Sequence, residues 1–333
     1  MKAMILAAGL GKRLRPATLY VPKPLFPVLG VPAIDWVLAG MQQAGIKQCA
    51  INVSHLAASI IRHVESGAQW GMEILWSVEP EVLGTGGGFS AVREFFEGED
   101  AILLHNGDVF NDWNFGEIIQ MHQDLGGAAT MIMVDPPELA AAKMVEVDDQ
   151  NMVVGIRGQP RAGDGRKFVF SGVSVHTQAI FDYLPKASDS CLIEQGIIPM
   201  LGDGKQVFGP AMQGQFCDIG TIERFLDVNW RLLPVAGPIL AKRGLLVPNE
   251  VSPGVWIHEG ADVSPDAVLQ GPLLISHGSV IEAGAVIGPR AIIGGNATVA
   301  AGVCVQDCIV FEGAVAKGEV ESLVLPQPAS WVV

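Results

Sequence analysis

The stretch KAMILAAGLGKRLRPATLYVPKPL, Lys2 to Leu25, runs from an apolar strand into glycines and then into cations. Lys2 to Ala7 has the length and composition of a buried strand. Gly9 and Gly11 follow, then Lys12, Arg13 and Arg15, and finally Lys23 between Pro22 and Pro24, which restrict the backbone around it. A strand leading into a glycine turn offers backbone amides to a phosphate. Two familiar versions of that device do not fit. The dinucleotide fingerprint needs a third glycine where Leu14 stands, and the P-loop needs longer spacing and a hydroxyl after its lysine. The chain of 333 residues has a formal net charge of −14, yet no acidic residue precedes Asp35. Glycines, cations and missing carboxylates together mark a local site for a small anion. Each alone would read as a basic surface loop.

Outward from that start, apolar strands alternate with amphipathic helices as far as Leu233. Ile34, Val37, Leu38 and Met41 follow helical spacing, with Pro32 before them and Gly45 after, which predicts a helix over 33–44. Gln48 to Val53 and Met72 to Val78 read as strands. Leu56, Ile60 and Val64 share a helical face, and Ser90 to Phe96 reads as helical. Such alternation implies a mostly parallel sheet covered on both faces, with ligands beyond the carboxyl ends of its strands. Gly9 and Asp108 both follow strands at that edge. About half of the residues are apolar, so the chain can bury a large core. The acidic balance argues against nucleic acid as a partner. No apolar run approaches the ~20 residues of a membrane span, and the start reads as a strand rather than a signal peptide. Five scattered cysteines make no disulfide framework. A cytoplasmic location is therefore expected.

Beyond the Pro- and Gly-containing stretch Pro234 to Pro253 the pattern changes. Ile257, Val263, Leu269, Ile275, Ile281, Ile287, Ile293, Val299, Val305 and Phe311 recur at intervals of six. Small residues (Ala261, Ala267, Ser279, Ala285, Ala291, Ala297) stand two places before most of them. This is a hexapeptide repeat, and it predicts a left-handed parallel β-helix with three hexads per coil.

The motif MILAAGLGKRLRPATLYVPKPLFPVLGVPAIDW resembles the signature of the sugar-1-phosphate nucleotidyltransferases. LGTGGG (Leu83 to Gly88), LLHNGDVF (Leu103 to Phe110), FSGVSV (Phe170 to Val175), IEQGIIP (Ile193 to Pro199) and FCDIGTIERFLDVN (Phe216 to Asn229) follow in the family's order. In form they are most similar to N-acetylmuramate-1-phosphate uridylyltransferases and mannose-1-phosphate guanylyltransferases. The fold implied is α/β. A Rossmann-like nucleotidyltransferase domain with a mixed, mostly parallel sheet would span 1–233, followed by a linker over 234–252. The left-handed β-helix would span 253–320, and a C-terminal tail 321–333.

The resemblance implies attack of a sugar 1-phosphate on the α-phosphorus of a nucleoside triphosphate, with pyrophosphate leaving. Two anions must then meet, so a nearby carboxylate would oppose the reaction. Amides from Leu6, Ala7, Ala8, Gly9 and Gly11, with Lys12 and Arg13, would hold the triphosphate. Arg13 would stabilise the departing pyrophosphate, and Lys23, facing a solvent-accessible cleft, would neutralise the α-phosphate. Asp108 and Asp218 would hold Mg²⁺, which needs only one or two carboxylates beside phosphates and water. Without the resemblance, each is an isolated acid at a turn and could as well be a cap. Gly84, Thr85 and Gly86 would lie against the base, with Asn106 and Gly107 nearby and Glu79 a candidate for base or ribose. Gly172, Glu194 and Asp218 would meet the sugar phosphate. Relatives often carry Glu-Lys before a proline where this chain has Gly158-Gln159-Pro160, and glycine near the position of Lys143. The identities of sugar and base are therefore left open. Acyl transfer in the β-helix (His258, His277) and a catalytically silent, nucleotide-sugar-binding regulatory subunit are the alternatives. A homo-oligomer assembled through the β-helix is expected. All catalytic motifs precede Asn229, so the tail is expected to be dispensable for the chemistry.

Overall fold

The computed structural model describes residues 1–135, 144–160 and 165–326. Lys143 and the last residues of the tail, 327–333, lie outside them. By packing, the chain divides into two units: Met1–Leu10 with Gly40–Asp218, and Gly11–Ala39 with Ile219–Val333.

The first unit is built on a nine-stranded mixed sheet. Its strands are β1 (Lys2–Leu6), β4 (Gln48–Val53), β5 (Glu73–Val78), β6 (Ile102–Asn106), β8 (Ala129–Val134), β9 (Met144–Val147), β10 (Val153–Ile156), β11 (Arg166–His176) and β12 (Val207–Phe208). The order β10-β9-β11-β6-β1-β4-β5 places β1 inside the sheet, between β6 and β4, with β8 also paired to β11 and β12 to β8. β1, β4, β5 and β6 are parallel, and β11 turns antiparallel to β6. Parallel neighbours need crossovers. α2 (Ala57–Val64) and α3 (Gly84–Ala91) lie in two of them. The first apolar run becomes a strand covered on both faces: Ala3, Met4 and Ile5 are completely buried. Met4, Ala50, Phe89, Leu104 and Met131 belong to one apolar core. A small antiparallel ribbon, β7 (Val109–Asn111) with β13 (Phe216–Asp218), stands apart from the main sheet. α4 (Phe115–Leu125) follows β7, its first turn capped by the Asn114 side chain. The short α5 (Ile198–Gly202) precedes β12.

α1 (Ala33–Gln43) begins and ends within a residue of the expected helix. α3 does not match its expectation. A helix is expected over Ser90 to Phe96, yet it starts at Gly84 and ends at Ala91.

The second unit holds the short ribbon β2 (Pro27–Val28) and β3 (Val31–Pro32), the helices α6 (Ile222–Leu232) and α7 (Ala236–Lys242), and a stack of very short strands. Three sheets make the stack. One is β14 (Asn249–Ser252), β15 (Val255–Ile257), β18 (Leu273–Ile275), β21 (Ala291–Ile293), β24 (Cys308–Val310) and β26 (Leu323–Val324). The second is β16 (Asp262–Val263), β19 (Val280–Ile281), β22 (Thr298–Val299) and β25 (Val315–Ala316). The third is β17 (Val268–Leu269), β20 (Val286–Ile287) and β23 (Cys304–Val305). Except at β14, all pairings are parallel, and from β15 as far as β24 each strand meets the one three registers on: Ile257 faces Ile275, which faces Ile293. Ile281, Ile287, Ile293, Val299 and Val305 point inward and are buried.

The register of six first breaks after Val305. Ile287 still pairs with Val305, but Ile293 pairs with Val310 rather than Phe311. One residue has been dropped at the corner where Asp307 adopts a positive φ of 51° and bonds Arg290 of the coil before. Phe311 is thereby pushed out of the repeat. It is buried against Phe26, with ring centroids 5.4 Å apart, and against Phe225 at 6.0 Å. Phe26 and Phe225 themselves meet edge to face at 5.1 Å. Beside this triad, Asn229 of α6 accepts from the Leu29 amide at 2.8 Å and donates to the Pro27 carbonyl at 3.1 Å. Gly30 lies so close to the stack that a Cβ there would be 2.6 Å from Ser276 Oγ. The segment that carries Lys23 is thus packed on residues from the far end of the chain.

Candidate active site

The carboxyl ends of the central strands bring the glycine segments together. Leu6 is in register with Asn52 on one side and Asn106 on the other. The chain then leaves β1 under close control: the Ala7 amide donates to Asn52 Oδ1 at 2.8 Å, and the Gly107 amide donates to the Leu6 carbonyl at 2.8 Å. Ala8 is buried and Gly9 exposed. Of the backbone groups expected to hold a triphosphate, that of Ala7 is therefore already engaged. Asn52 Nδ2 donates to Glu79 Oε1 at 2.7 Å, and the Leu83 amide donates to Glu79 Oε2 at 2.9 Å. Asn52 and Glu79 are only 2% and 3% exposed. Glu79 thus has both oxygens committed inside the protein.

α3 packs on the same pair. A Cβ at Gly88 would stand 2.4 Å from Asn52 Nδ2 and 2.7 Å from Glu79 Oε1. One at Gly87 would meet the Ser188 carbonyl oxygen at 2.2 Å. The Gly86 amide donates to the Ser190 carbonyl at 2.8 Å, and Thr85 Oγ1 accepts from the Leu192 amide at 2.9 Å. The glycines are there because the helix must lie flat on neighbouring backbone, at a cost in helix propensity of about 1 kcal/mol each.

Asp108 and Asp218 are remote in sequence, and the β7–β13 ribbon brings them side by side: Asp218 pairs directly with Val109, next to Asp108. Both are partly exposed. Gly172 faces Asn106. Its φ is +90°, and a Cβ there would fall 2.5 Å from Asn106 Nδ2. Glu194 lies in a π-helical turn, Leu192–Ile197, and receives Arg157 Nη1 at 2.6 Å. At 46% and 36% exposure this ion pair is well screened.

In the second unit, Lys12 and Arg13 are exposed on a single 3₁₀ turn, Lys12–Leu14. Gly11 opens that turn with φ +58°, and its carbonyl accepts from Thr18 Oγ1 at 3.0 Å. Lys23 starts another 3₁₀ turn, Lys23–Leu25, and is 7% exposed. The sequence leads one to expect a lysine in an open cleft; this one is held within the fold.

Two residues of the site escaped the sequence reading. Asn52 had a signal, a lone amide near the carboxyl end of an otherwise apolar strand. Arg157 had none, because only the fold brings it to Glu194. Among the described residues no cluster of three or more metal-ligating side chains occurs. Two aspartates remain as the hard oxygen donors on the ribbon, a set suited to a small divalent cation completed by substrate phosphates and water.

The family model described as nucleotidyl transferase matches residues 2–233. The chain is 27% identical to the UTP–glucose-1-phosphate uridylyltransferase of Synechocystis, over 94% of this chain and 83% of that one. It is 28% identical to the mannose-1-phosphate guanylyltransferase of Mycobacterium tuberculosis, over 84% and 76%. With the N-acetylmuramate alpha-1-phosphate uridylyltransferase of Neisseria meningitidis it shares 32% over 69% and 97%. Among solved structures, HddC from Yersinia pseudotuberculosis, complexed with GMP-PN, superposes with a TM-score of 0.57 at 21% identity, covering 69% of this chain and 99% of that one. That likeness concerns the fold.

Proposed function

Because the chain belongs to the nucleotidyl transferase family, we propose that it transfers a nucleoside monophosphate from a nucleoside triphosphate to a sugar 1-phosphate, releasing pyrophosphate. The observation that carries this reading is the pairing of β13 with β7, which sets Asp218 beside the Asn106-Gly107-Asp108 turn at the ligand-binding edge of the sheet. In this reading Asp108 and Asp218 hold Mg²⁺. The ion would offset charge on the phosphates and favour in-line attack. Lys12 and Arg13 bind the triphosphate with the amides of Ala8, Gly9 and Gly11. Arg13 stabilises pyrophosphate as it leaves, and Lys23 offsets charge at the α-phosphate. Thr85 and the first turn of α3 take the base. Gly172 and Glu194 take the sugar, with Arg157 fixing the carboxylate.

The relatives named above use different bases and sugars, so neither is assigned. A panel of five nucleoside triphosphates against several sugar 1-phosphates, scored by pyrophosphate release with and without EDTA, tests the reading. Turnover with one pair, abolished by EDTA, is expected. Silence across the panel would favour a regulatory subunit, and undiminished turnover in EDTA would remove the metal.

For the C-terminal stack we propose a left-handed parallel β-helix. What supports it is three sheets, parallel except at β14, that the chain visits in turn round the stack, with an interior of small and aliphatic side chains. Transfer chemistry is assigned to 1–233, the linker to 234–252, the β-helix to 253–320 and the tail to 321–333. We further propose a cytoplasmic homo-oligomer that uses the stack. No helix among the described residues is long and apolar enough to cross a membrane.

A further inference from the structure

We propose that Asn52 and Glu79 act together as a positioning strut that couples the triphosphate end of the nucleotide site to its base end. The inference rests on the assignment of Ala8 and Gly9 to the phosphates and of α3 to the base. Its basis is a chain of three hydrogen bonds inside the first unit. The Ala7 amide is held by Asn52, Asn52 by Glu79, and Glu79 by the Leu83 amide, one residue before α3. Gly88 rests directly on the pair, so the middle of α3 is fixed as well as its start. Nothing in this chain of bonds can slide. Asn52 uses its one oxygen toward Ala7 and its one amino group toward Glu79, and Glu79 spends one oxygen on each neighbour. Both side chains are buried, so water cannot replace a lost partner without disturbing the packing. A buried carboxylate contributes little to apolar packing, and its cost makes sense where it fixes a geometry. Glu79 is thereby assigned to positioning rather than to contact with base or ribose. Asn52 acts in the same way through Ala7.

The polarity of the chain of bonds supplies the test. In Asn52→Asp, the new carboxylate still accepts from Ala7 but faces Glu79 oxygen to oxygen. In Glu79→Gln, an amide oriented to satisfy Leu83 with its oxygen turns its own N–H group toward the Asn52 amino group. In the double variant every bond can form again, with the direction of the middle one reversed. The amide introduced at position 79 would donate to the carboxylate introduced at position 52 and accept from the Leu83 amide, and the total charge is conserved. Steady-state kinetics with the preferred nucleoside triphosphate and with the others, well below the melting temperature, reads the outcome.

Each single variant should raise KM for nucleotide by about tenfold or more, the effect of one buried bond left unmade. Each should also narrow the ratio of kcat/KM between preferred and other bases. The double variant should return both quantities to within a few-fold of the parent. A double variant no better than Glu79→Gln overturns the strut. So do singles that only melt earlier while KM and base discrimination stay put, because a merely structural pair would behave that way. If Asn52→Asp does not fold, the double variant against Glu79→Gln alone still decides. Lys12→Ala, measured in parallel, separates the two levels of inference. If it leaves nucleotide KM unchanged, the phosphate-site assignment itself fails; if it moves KM while the strut variants do not, only the strut fails.

Discussion

Single side chains carry the charge logic of the molecule. Asp108 and Asp218 are visible in the sequence only by resemblance, since an acid at a turn has many ordinary uses. The β7–β13 ribbon makes the two acids neighbours. Asp108→Asn and Asp218→Asn should each lower kcat by at least about a hundredfold, roughly 3 kcal/mol of transition-state stabilisation, while the fold stays intact. Near-parental turnover in either variant, at saturating substrates, would remove that residue from the chemistry. A different titration governs stability. His176 is completely buried, its Nε2 on Ser174 Oγ at 2.7 Å, and burial, reinforced by His122, pushes its pKa down to about 3. The group is neutral in the fold and gains a proton readily only when unfolded. Its contribution is therefore fully present above about pH 6.5 and lost as pH falls toward 3. Between pH 7 and pH 5 this histidine should cost about 2 kcal/mol of stability. His122 and His258 are shifted down as well, by burial, and add in the same direction. Urea unfolding at the two pH values should show the loss, and a His176→Asn variant should show a shallower dependence.

At the scale of elements, the sequence is most legible where periodicity and burial agree. α1 and β4 can be placed almost to the residue, because one apolar stripe or one apolar run decides each of them. LGTGGG cannot, because intrinsic propensity and tertiary contact conflict there. Four glycines in eight residues argue against a helix, and only the nearness of Ser188, Ser190, Asn52 and Glu79 makes their absent side chains necessary. The same conflict yields a prediction. Gly87→Ala improves helix propensity yet puts a methyl 2.2 Å from the Ser188 carbonyl oxygen. Net destabilisation of about 1–3 kcal/mol is expected from the forced shift, read by denaturant midpoint. A more stable variant would show that the neighbouring segment yields freely. The repeat has a similar blind spot. The hexad spacing holds as far as Val305, but a one-residue omission keeps Val310 inward and releases Phe311, and nothing in a hexad count distinguishes the two outcomes. Arg157 and Glu194 stay separate in the sequence for the same reason: contact across distant segments leaves no periodic trace.

On the scale of the whole molecule, a catalytic half and a separable tail is the natural reading of a sequence whose motifs end before Asn229. The packing within the second unit gives the opposite prediction. Phe26, a short way after Lys23, lies against Phe225 and Phe311, and Gly30 lies against Ser276. A chain ending at Leu233 should therefore lose transfer activity even where it stays in solution, and Phe311→Ala should cost about 3–5 kcal/mol of stability while lowering kcat. Robust turnover by the shortened chain would show that the Lys23 segment settles without its support. The Phe26–Phe311 contact also has a consequence in time. On a ribosome the Lys23 segment emerges long before Phe311. The nascent chain can form its central sheet first, but the final packing of its cationic segment must wait until Phe311 has been made. Synthesis that stops short of Phe311 would leave a chain with a partly formed sheet and a Lys23 segment that lacks its aromatic neighbour.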